Sequence, residues 1–440
     1  MRIKKIPNHV IVASSSLISK IFVTFLQLYI LRLALLLLGV DNNALFVVLT
    51  GLMGWFALAD LGLGISFQNH ISKYKSDDKE YSNNIVKNVL GIYFILMILV
   101  MILFYFISGY FSKIILKEFS FMNDERKNFL FLITGELSIV MSFSSIIYKI
   151  WYAELRGYFA NIVPVLGYIL SAFGIYILYK HKQNLSDPLT YCIAIYLLPN
   201  TLITFILFIL MLLKFKRLSL YNELDKNIIY SVFRTGFNFW FFSIMAAGVL
   251  QIDYLIMARY LRPDEIVLYN LISKIFTFIF FIYTSLLVAL WPEISIEIYK
   301  SNLIKVKSDI KKYLGMGILY IITATLLVVL LKGYILKLLV PGSLIKFPDY
   351  LIIIFGFYYL IRVWTDTYAM VLLSVNILKP FWILVPIQAL ISIFGQIYFA
   401  KIYGVDGILY GLILSFLLTV TWGLPYYTKK YIFRRCIDGN

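Results

Sequence analysis

Apolar residues run through this chain in long blocks, not at the spacing of a one-sided surface helix. Twelve blocks fall roughly at residues 10–33, 44–67, 85–109, 128–150, 158–179 and 188–213, then 230–258, 266–290, 313–333, 350–375, 381–400 and 407–425. Each is long enough to cross a bilayer as a helix. Helix is the required element, because an unpaired backbone group in lipid costs several kcal/mol and no strand pattern here could close a barrel. The connecting segments are short, and the longest candidate runs from Lys214 to Lys226 between the halves. Nothing is left over for a catalytic domain outside the membrane.

The two halves echo one another. Phe159 to Pro164 and Phe381 to Pro386 sit in separate blocks at a constant offset of 222 residues. The same offset pairs Val163 with Val385, Ile169 with Ile391, Ile175 with Ile397 and Tyr176 with Tyr398. A second echo sets Asp41–Phe46 against Asp264–Tyr269. A half-chain repeat with a proline inside an apolar helix at matching places is the pattern of a two-lobed transporter. The expected fold is an all-α polytopic membrane protein of about 12 transmembrane helices in two six-helix lobes, residues 1–220 and 221–440. Pro164 and Pro386 are the expected hinges of those lobes, with a static bend as the plainer alternative.

Composition agrees with the pattern. Of the 440 residues 61% are hydrophobic and only 14% charged, and the mean hydropathy is +0.86. A net charge of +17 would suggest nucleic acid for a soluble protein. In a membrane chain the anionic bilayer surface is the expected partner, and no nucleic acid is expected. Cys192 and Cys436 offer neither a disulfide framework nor metal-ligand spacing, so no metal or cofactor is expected. The basic start, Arg2, Lys4 and Lys5, precedes a full-length apolar block without a small-residue cleavage site. It reads as a retained first span. Lysines and arginines favour the segments on the N-terminal side of the membrane by nearly two to one, Lys300 to Lys312 being the densest run. Both termini are therefore expected in the cytosol.

The chemistry must lie in what the spans carry against their own interest. An ionisable group at mid-bilayer costs roughly 2.5–3.5 kcal/mol on insertion scales and normally faces water or a partner. The first span carries Lys20, about ten residues from either end, with Ser16, Thr24 and Gln27 near the same stripe. That depth favours a cavity over snorkelling. The eighth carries Asn270, Lys274 and Thr277 as one polar face. The tenth carries Arg362 and Asp366 at i, i+4, which an intrahelical ion pair would explain; the arginine would still have N–H donors to spare. Glu136 and Asp253 are lone carboxylates, candidates for proton or cation coupling or for neutralising a nearby lysine.

Enzyme motifs were sought without result: the chain has no Gly-x-x-x-x-Gly-Lys loop, no His-Glu-x-x-His and no Gly-x-Ser-x-Gly. The clustered carboxylates Asp77, Asp78 and Glu80 lie in a short mixed-charge loop and read as a solvated linker. Five short stretches carry a family resemblance: Leu58-Ala-Asp60-Leu-Gly-Leu-Gly64, Trp151 to Gly157, Gln251-Ile-Asp253, Trp291-Pro-Glu293 and Gly404-Val-Asp-Gly407. On these, and on span count and loop spacing, the chain resembles a Wzx-type O-antigen flippase. That group is the polysaccharide transporter branch of the superfamily that includes the multidrug and toxic compound extruders.

The resemblance implies two lobes around a central cavity in the bacterial cytoplasmic membrane, and no enzyme activity. It implies transport of an undecaprenyl-diphosphate-linked oligosaccharide to the outer leaflet, in company with other polysaccharide-assembly proteins. Related flippases hold the diphosphate with cavity cations. That role would fall here on Lys20, Lys274 and Arg362, with Gln27 and Asn270 beside them. Asp60 joins Glu136, Asp253 and Asp366 as a coupling or charge-pair candidate. A drug/cation antiporter of the same superfamily is the alternative, kept open by Glu136 and Asp253. An integral-membrane enzyme of polysaccharide synthesis is disfavoured by the short loops.

Overall fold

A computed structural model describes residues 8–74, 79–154, 156–218, 226–340 and 347–434. The basic start, the Asp77–Asp78 pair, the middle of the Lys214–Lys226 connection and Cys436 lie outside the described residues. Every regular element among the described residues is helical. The first half holds α1 (Asn8–Gly51), α2 (Met53–Phe56), α3 (Leu63–Tyr74), α4 (Lys79–Ile115), α5 (Asp124–Ser144), α6 (Ile146–Ala153), α7 (Gly157–Lys180) and α8 (Pro188–Leu218). There follow α9 (Lys226–Leu250), α10 (Ile252–Tyr260), α11 (Pro263–Tyr299) and α12 (Leu303–Leu339). The chain closes with α13 (Asp349–Ser374), α14 (Lys379–Tyr403), α15 (Val405–Leu418) and α16 (Val420–Thr428).

Among the described residues nine helices are long and apolar enough to cross a bilayer, and the bent pair α9–α10 makes ten. Two features separate that figure from the twelve blocks of the sequence. The first two blocks are joined in α1, interrupted only by a kink at Gly39 with φ 72° and ψ −178°. The α13 helix has 26 residues, enough to span, but carries Asp349, Arg362 and Asp366. Helix ends also outrun the blocks. At 37 residues α11 and α12 are each about 56 Å long, against a hydrocarbon core of about 30 Å, so their polar ends stay helical beyond it.

Three blocks that read as unbroken spans are interrupted at non-helical backbone. The second is interrupted at Leu61 (φ 54°) and Gly62 (φ 66°), both left-handed, where the Asp60 carboxylate accepts the Gly62 N–H at 3.0 Å. The seventh bends by 44° between α9 and α10. The last breaks at Thr419, with φ −127° and ψ −85°. Such breaks are tolerated at membrane depth where side chains take up the freed backbone groups. Ser142 and Trp240 do so at the first, donating to the carbonyls of Ala57 and Leu58 at 2.8 and 2.9 Å. At the last, the Thr419 hydroxyl donates to Ser415 C=O at 2.5 Å, and Trp364 Nε1 donates to Thr421 C=O at 2.8 Å.

The repeat is visible in helix boundaries. The 37-residue helices α4 and α12 start at Lys79 and Leu303, 224 residues apart. The helices α7 and α14 start at Gly157 and Lys379, 222 apart. Pro164 and Pro386 each lie seven residues into their helix, which runs on through the proline. Pro199, Pro292 and Pro425 are also inside helices, which the repeat did not single out.

The chain divides into two compact units, Met1–Ala247 and Gly248–Asn440. Within the first, Asn161 ties three helices together. It accepts from the Tyr152 hydroxyl at 2.7 Å and donates to Ser15 Oγ at 2.9 Å and to Val12 C=O at 3.2 Å. The first unit also contains most of α9, held along α3 by a seam of polar contacts. Trp240 meets Leu58, the Ser66 hydroxyl donates to Val232 C=O at 2.8 Å, and His70 Nε2 meets Ser231 Oγ at 3.0 Å. His70 Nδ1 faces the Ser66 carbonyl at 2.8 Å; a carbonyl only accepts, so Nδ1 carries the hydrogen. Beyond the spans, Arg126 pairs with Asp187 at 2.6 Å. Burial alone would raise the Asp187 carboxyl, but hydrogen bonds from Thr190 and the Arg126 charge hold it below the usual carboxylate value. Within the second unit α14 and α15 touch backbone to backbone: a Cβ on Gly411 would collide with the Gln396 amide nitrogen.

Candidate functional site

The polar residues of the second unit line up where α10 and α13 pack on α11. At one end the Tyr269 hydroxyl donates to Asp253 Oδ2 at 2.9 Å, and the Tyr254 hydroxyl donates to Asn270 Oδ1 at 3.2 Å. Asp253 and Asn270 are both buried. The lone carboxylate of the sequence thus has a phenol partner. One turn along α11 comes Lys274, half-buried. Close to another turn on, the Thr277 and Tyr359 hydroxyls meet at 3.0 Å. Further on, the Tyr283 and Thr367 hydroxyls meet at 2.6 Å.

Arg362 stands in the middle of α13. Its Nε donates to Asp366 Oδ1 at 3.3 Å and its Nη2 to Oδ2 at 2.9 Å, a two-pronged ion pair across one helical turn. Its Nη1 donates to the Tyr358 hydroxyl at 3.1 Å. The rings of Phe280, Tyr358 and Phe416 lie 4.9, 6.0 and 5.8 Å from the guanidinium carbon. Arginine is suited to this setting because its flat cation stacks on π faces while its edges donate. Its side chain is 19% exposed and that of Asp366 28%, so the pair is sheltered but reachable. Among the described residues three of the five guanidinium N–H groups are engaged.

Of the residues singled out from sequence, the structure brings Asp253 beside Asn270 through adjacent tyrosines and pairs Arg362 with Asp366. Lys274 lies on the same helix as Asn270. Lys20 and Gln27 belong to α1 in the first unit; Lys20 is exposed, its own carbonyl accepting the Thr24 hydroxyl at 2.8 Å, and Gln27 is half-buried. Glu136 on α5 is half-buried, and its Oε2 is buried without a hydrogen bond among the described residues. Asp60 caps the break before α3 and faces the side of Gly64, where a Cβ would lie 3.1 Å from Asp60 Oδ2, 3.6 Å from Lys149 Cγ and 3.7 Å from the Tyr93 hydroxyl.

Several polar and aromatic partners were not foreseen. The rings around Arg362 and the phenols of Tyr254 and Tyr269 come from helices far apart in sequence, and aromatic residues are too common here to stand out. A buried stripe on α14, Gln388, Ser392 and Gln396, could have been found from its i, i+4, i+8 spacing. Gln396 Nε2 donates to Ser392 Oγ at 2.8 Å. Among the described residues no group of His, Cys, Asp or Glu side chains is arranged to hold a metal.

Comparison with known proteins agrees with this architecture. The family model for the lipid II flippase MurJ matches residues 55–344. A Yersinia pseudotuberculosis protein named as an O-antigen export protein is 37% identical over 99% of this chain and 98% of its own length. One from Salmonella typhi, named as an O-antigen transporter, is 37% identical over 97% of both chains. Among solved structures, the chain is similar to a lipid II flippase MurJ in an inward closed conformation, with TM-score 0.73 and 15% identity over 97% of this chain and 89% of that one. It is also similar to an inward-facing MATE family transporter, with TM-score 0.72 and 14% identity over 92% and 96%. At such identities the two structures speak for the fold alone. The family model and the full-length relatives go further: the chain belongs to the family of the MurJ flippase and the O-antigen transporters.

Proposed function

We propose that this protein is a flippase. It carries an undecaprenyl-diphosphate-linked oligosaccharide, an O-antigen repeat unit, from the inner to the outer leaflet of the bacterial cytoplasmic membrane by alternating access. The observation that carries the reading is Arg362, an arginine kept within a span, reachable and with donors in reserve. A diphosphate and its sugars cannot cross hydrocarbon unaided, because each buried charge and unsatisfied hydroxyl is costly. A fixed cation in a wet groove offsets the desolvation of the diphosphate while the lipid tail stays in the bilayer. Lys274 on α11 and Lys20 on α1 are the further cations of this reading, with Asn270 and Gln27 as neutral hydrogen-bonding groups. Asp253, held by Tyr269, is a coupling candidate, as are Glu136 and Asp60. The reading needs no catalytic step, and it sets both termini in the cytosol.

The test is export in a host lacking its own flippase. Arg362→Ala, Lys274→Ala and Lys20→Ala should each lower surface polysaccharide several-fold while membrane protein level stays near normal, and Lys→Arg changes should be milder. Normal export by all three alanine variants would defeat the cationic-site reading. Efflux of cationic dyes, lost in Glu136→Gln but not in Arg362→Ala, would favour the antiporter instead.

A further inference from the structure

Arg362 rests against a negative charge of its own. Asp366 occupies the Nε–Nη2 edge with both carboxylate oxygens, at 3.3 and 2.9 Å. Tyr358 takes an Nη1 hydrogen at 3.1 Å, and Phe280, Tyr358 and Phe416 stand around the guanidinium carbon at 4.9 to 6.0 Å. An arriving anion finds two N–H groups and a carboxylate already within the width of one guanidinium. The setting matters because a membrane holds ordinary anionic phospholipids in great excess over any lipid-linked intermediate.

We propose that Asp366 is a specificity-determining residue, an internal stand-in for a singly charged phosphate that keeps phospholipid headgroups off Arg362 and yields only to a diphosphate. The proposal rests on the reading above that this site takes a diphosphate lipid. A carboxylate and a phosphodiester are each monoanions that present two oxygens to the fork of an arginine. Exchanging one for the other gains nothing in charge or hydrogen-bond count. The carboxylate is also tethered one turn away on the same helix, so it competes at a high effective concentration. A diphosphate brings at least one more negative charge and several more acceptor oxygens. It can take the two unused N–H groups, then draw the fork from Asp366. Selectivity of this kind sets a repulsive element against the wrong ligand and adds contacts that only the right one can make.

The experiment uses the full chain in phosphatidylcholine nanodiscs, with undecaprenyl diphosphate and phosphatidylglycerol as the two competing probes. The wild type should bind the diphosphate with clear preference, and Arg362→Gln should lose that binding. Asp366→Asn should raise phosphatidylglycerol affinity by about tenfold or more, which narrows the preference. Asp366→Glu keeps the charge and should keep the discrimination, while Asp366→Ala also removes the charge and takes the place of the asparagine variant if that one does not accumulate folded. The proposal is overturned if Asp366→Asn binds diphosphate but gains nothing for phosphatidylglycerol. It is equally overturned if Asp366→Glu loses discrimination, since geometry rather than charge would then be responsible. A wild type that binds no diphosphate, or binds it independently of Arg362, would instead remove the substrate reading on which the proposal stands.

Discussion

At Gly62 the backbone takes φ 66°, and a Cβ there would lie 2.5 Å from Gly236 O and 2.6 Å from Trp240 N. No side chain fits, and left-handed backbone is costly for any residue that has one. Gly62→Ala is therefore expected to lower the melting temperature of detergent-purified protein by several degrees or to prevent its accumulation. Gly91→Ala, where a Cβ meets nothing within 4 Å, should be neutral or slightly stabilising in the same assay. Equal behaviour of the two variants would contradict this account of the α3–α9 packing. The contrast also marks what was legible at this scale. The Arg362–Asp366 pair could be read from the sequence because both partners share one helix face. The phenol on Asp253 and the rings around Arg362 could not, because they arrive from other helices and a hydropathy pattern carries no information on which helices meet. Gly62 stood in the sequence only as part of the Leu58–Gly64 stretch, with nothing to mark it as a left-handed turn.

The helices show the same division between what a pattern can and cannot carry. Blocks of apolar residues located the helices well, since burial in lipid demands hydrophobicity at every face. They said nothing of the left-handed turn at Leu61 or the break at Thr419, which are matters of backbone angle and of neighbouring donors. The paired prolines were legible through the repeat, and their helices start the same 222 residues apart as the prolines themselves. Each proline removes one backbone donor and crowds the carbonyl four residues earlier, which softens the helix. Pro164→Ala and Pro386→Ala are expected to fold and insert, yet to slow export. The double variant should also shift cysteine labelling at the two membrane faces more than either single change. Full export and unchanged labelling in the double variant would reduce both prolines to static bends.

For the molecule as a whole, orientation is the property most open to measurement. Reporter fusions at Asn440 and after Lys226 should give a cytosolic signal, and a fusion between Lys113 and Lys127 an external one. An external signal at Asn440 would contradict the even number of passes. The repeat, however, does not draw the line where contacts draw it. By sequence offset α9 opens the second half, yet Leu58, Gly62, Ser66 and His70 along the second pass meet Trp240, Gly236, Val232 and Ser231 along α9, inside the first compact unit. These contacts recur every turn, and much of the strip consists of backbone atoms and glycine surface. The peptide link across 219–225 is therefore not the only thing that keeps α9 in place. If the chain were made as two separate polypeptides divided there, the second would carry a ready adhesive strip for the first. A gene fission at that point would produce a complementing pair, whereas a cut after Ala247 would leave the whole strip inside the first fragment.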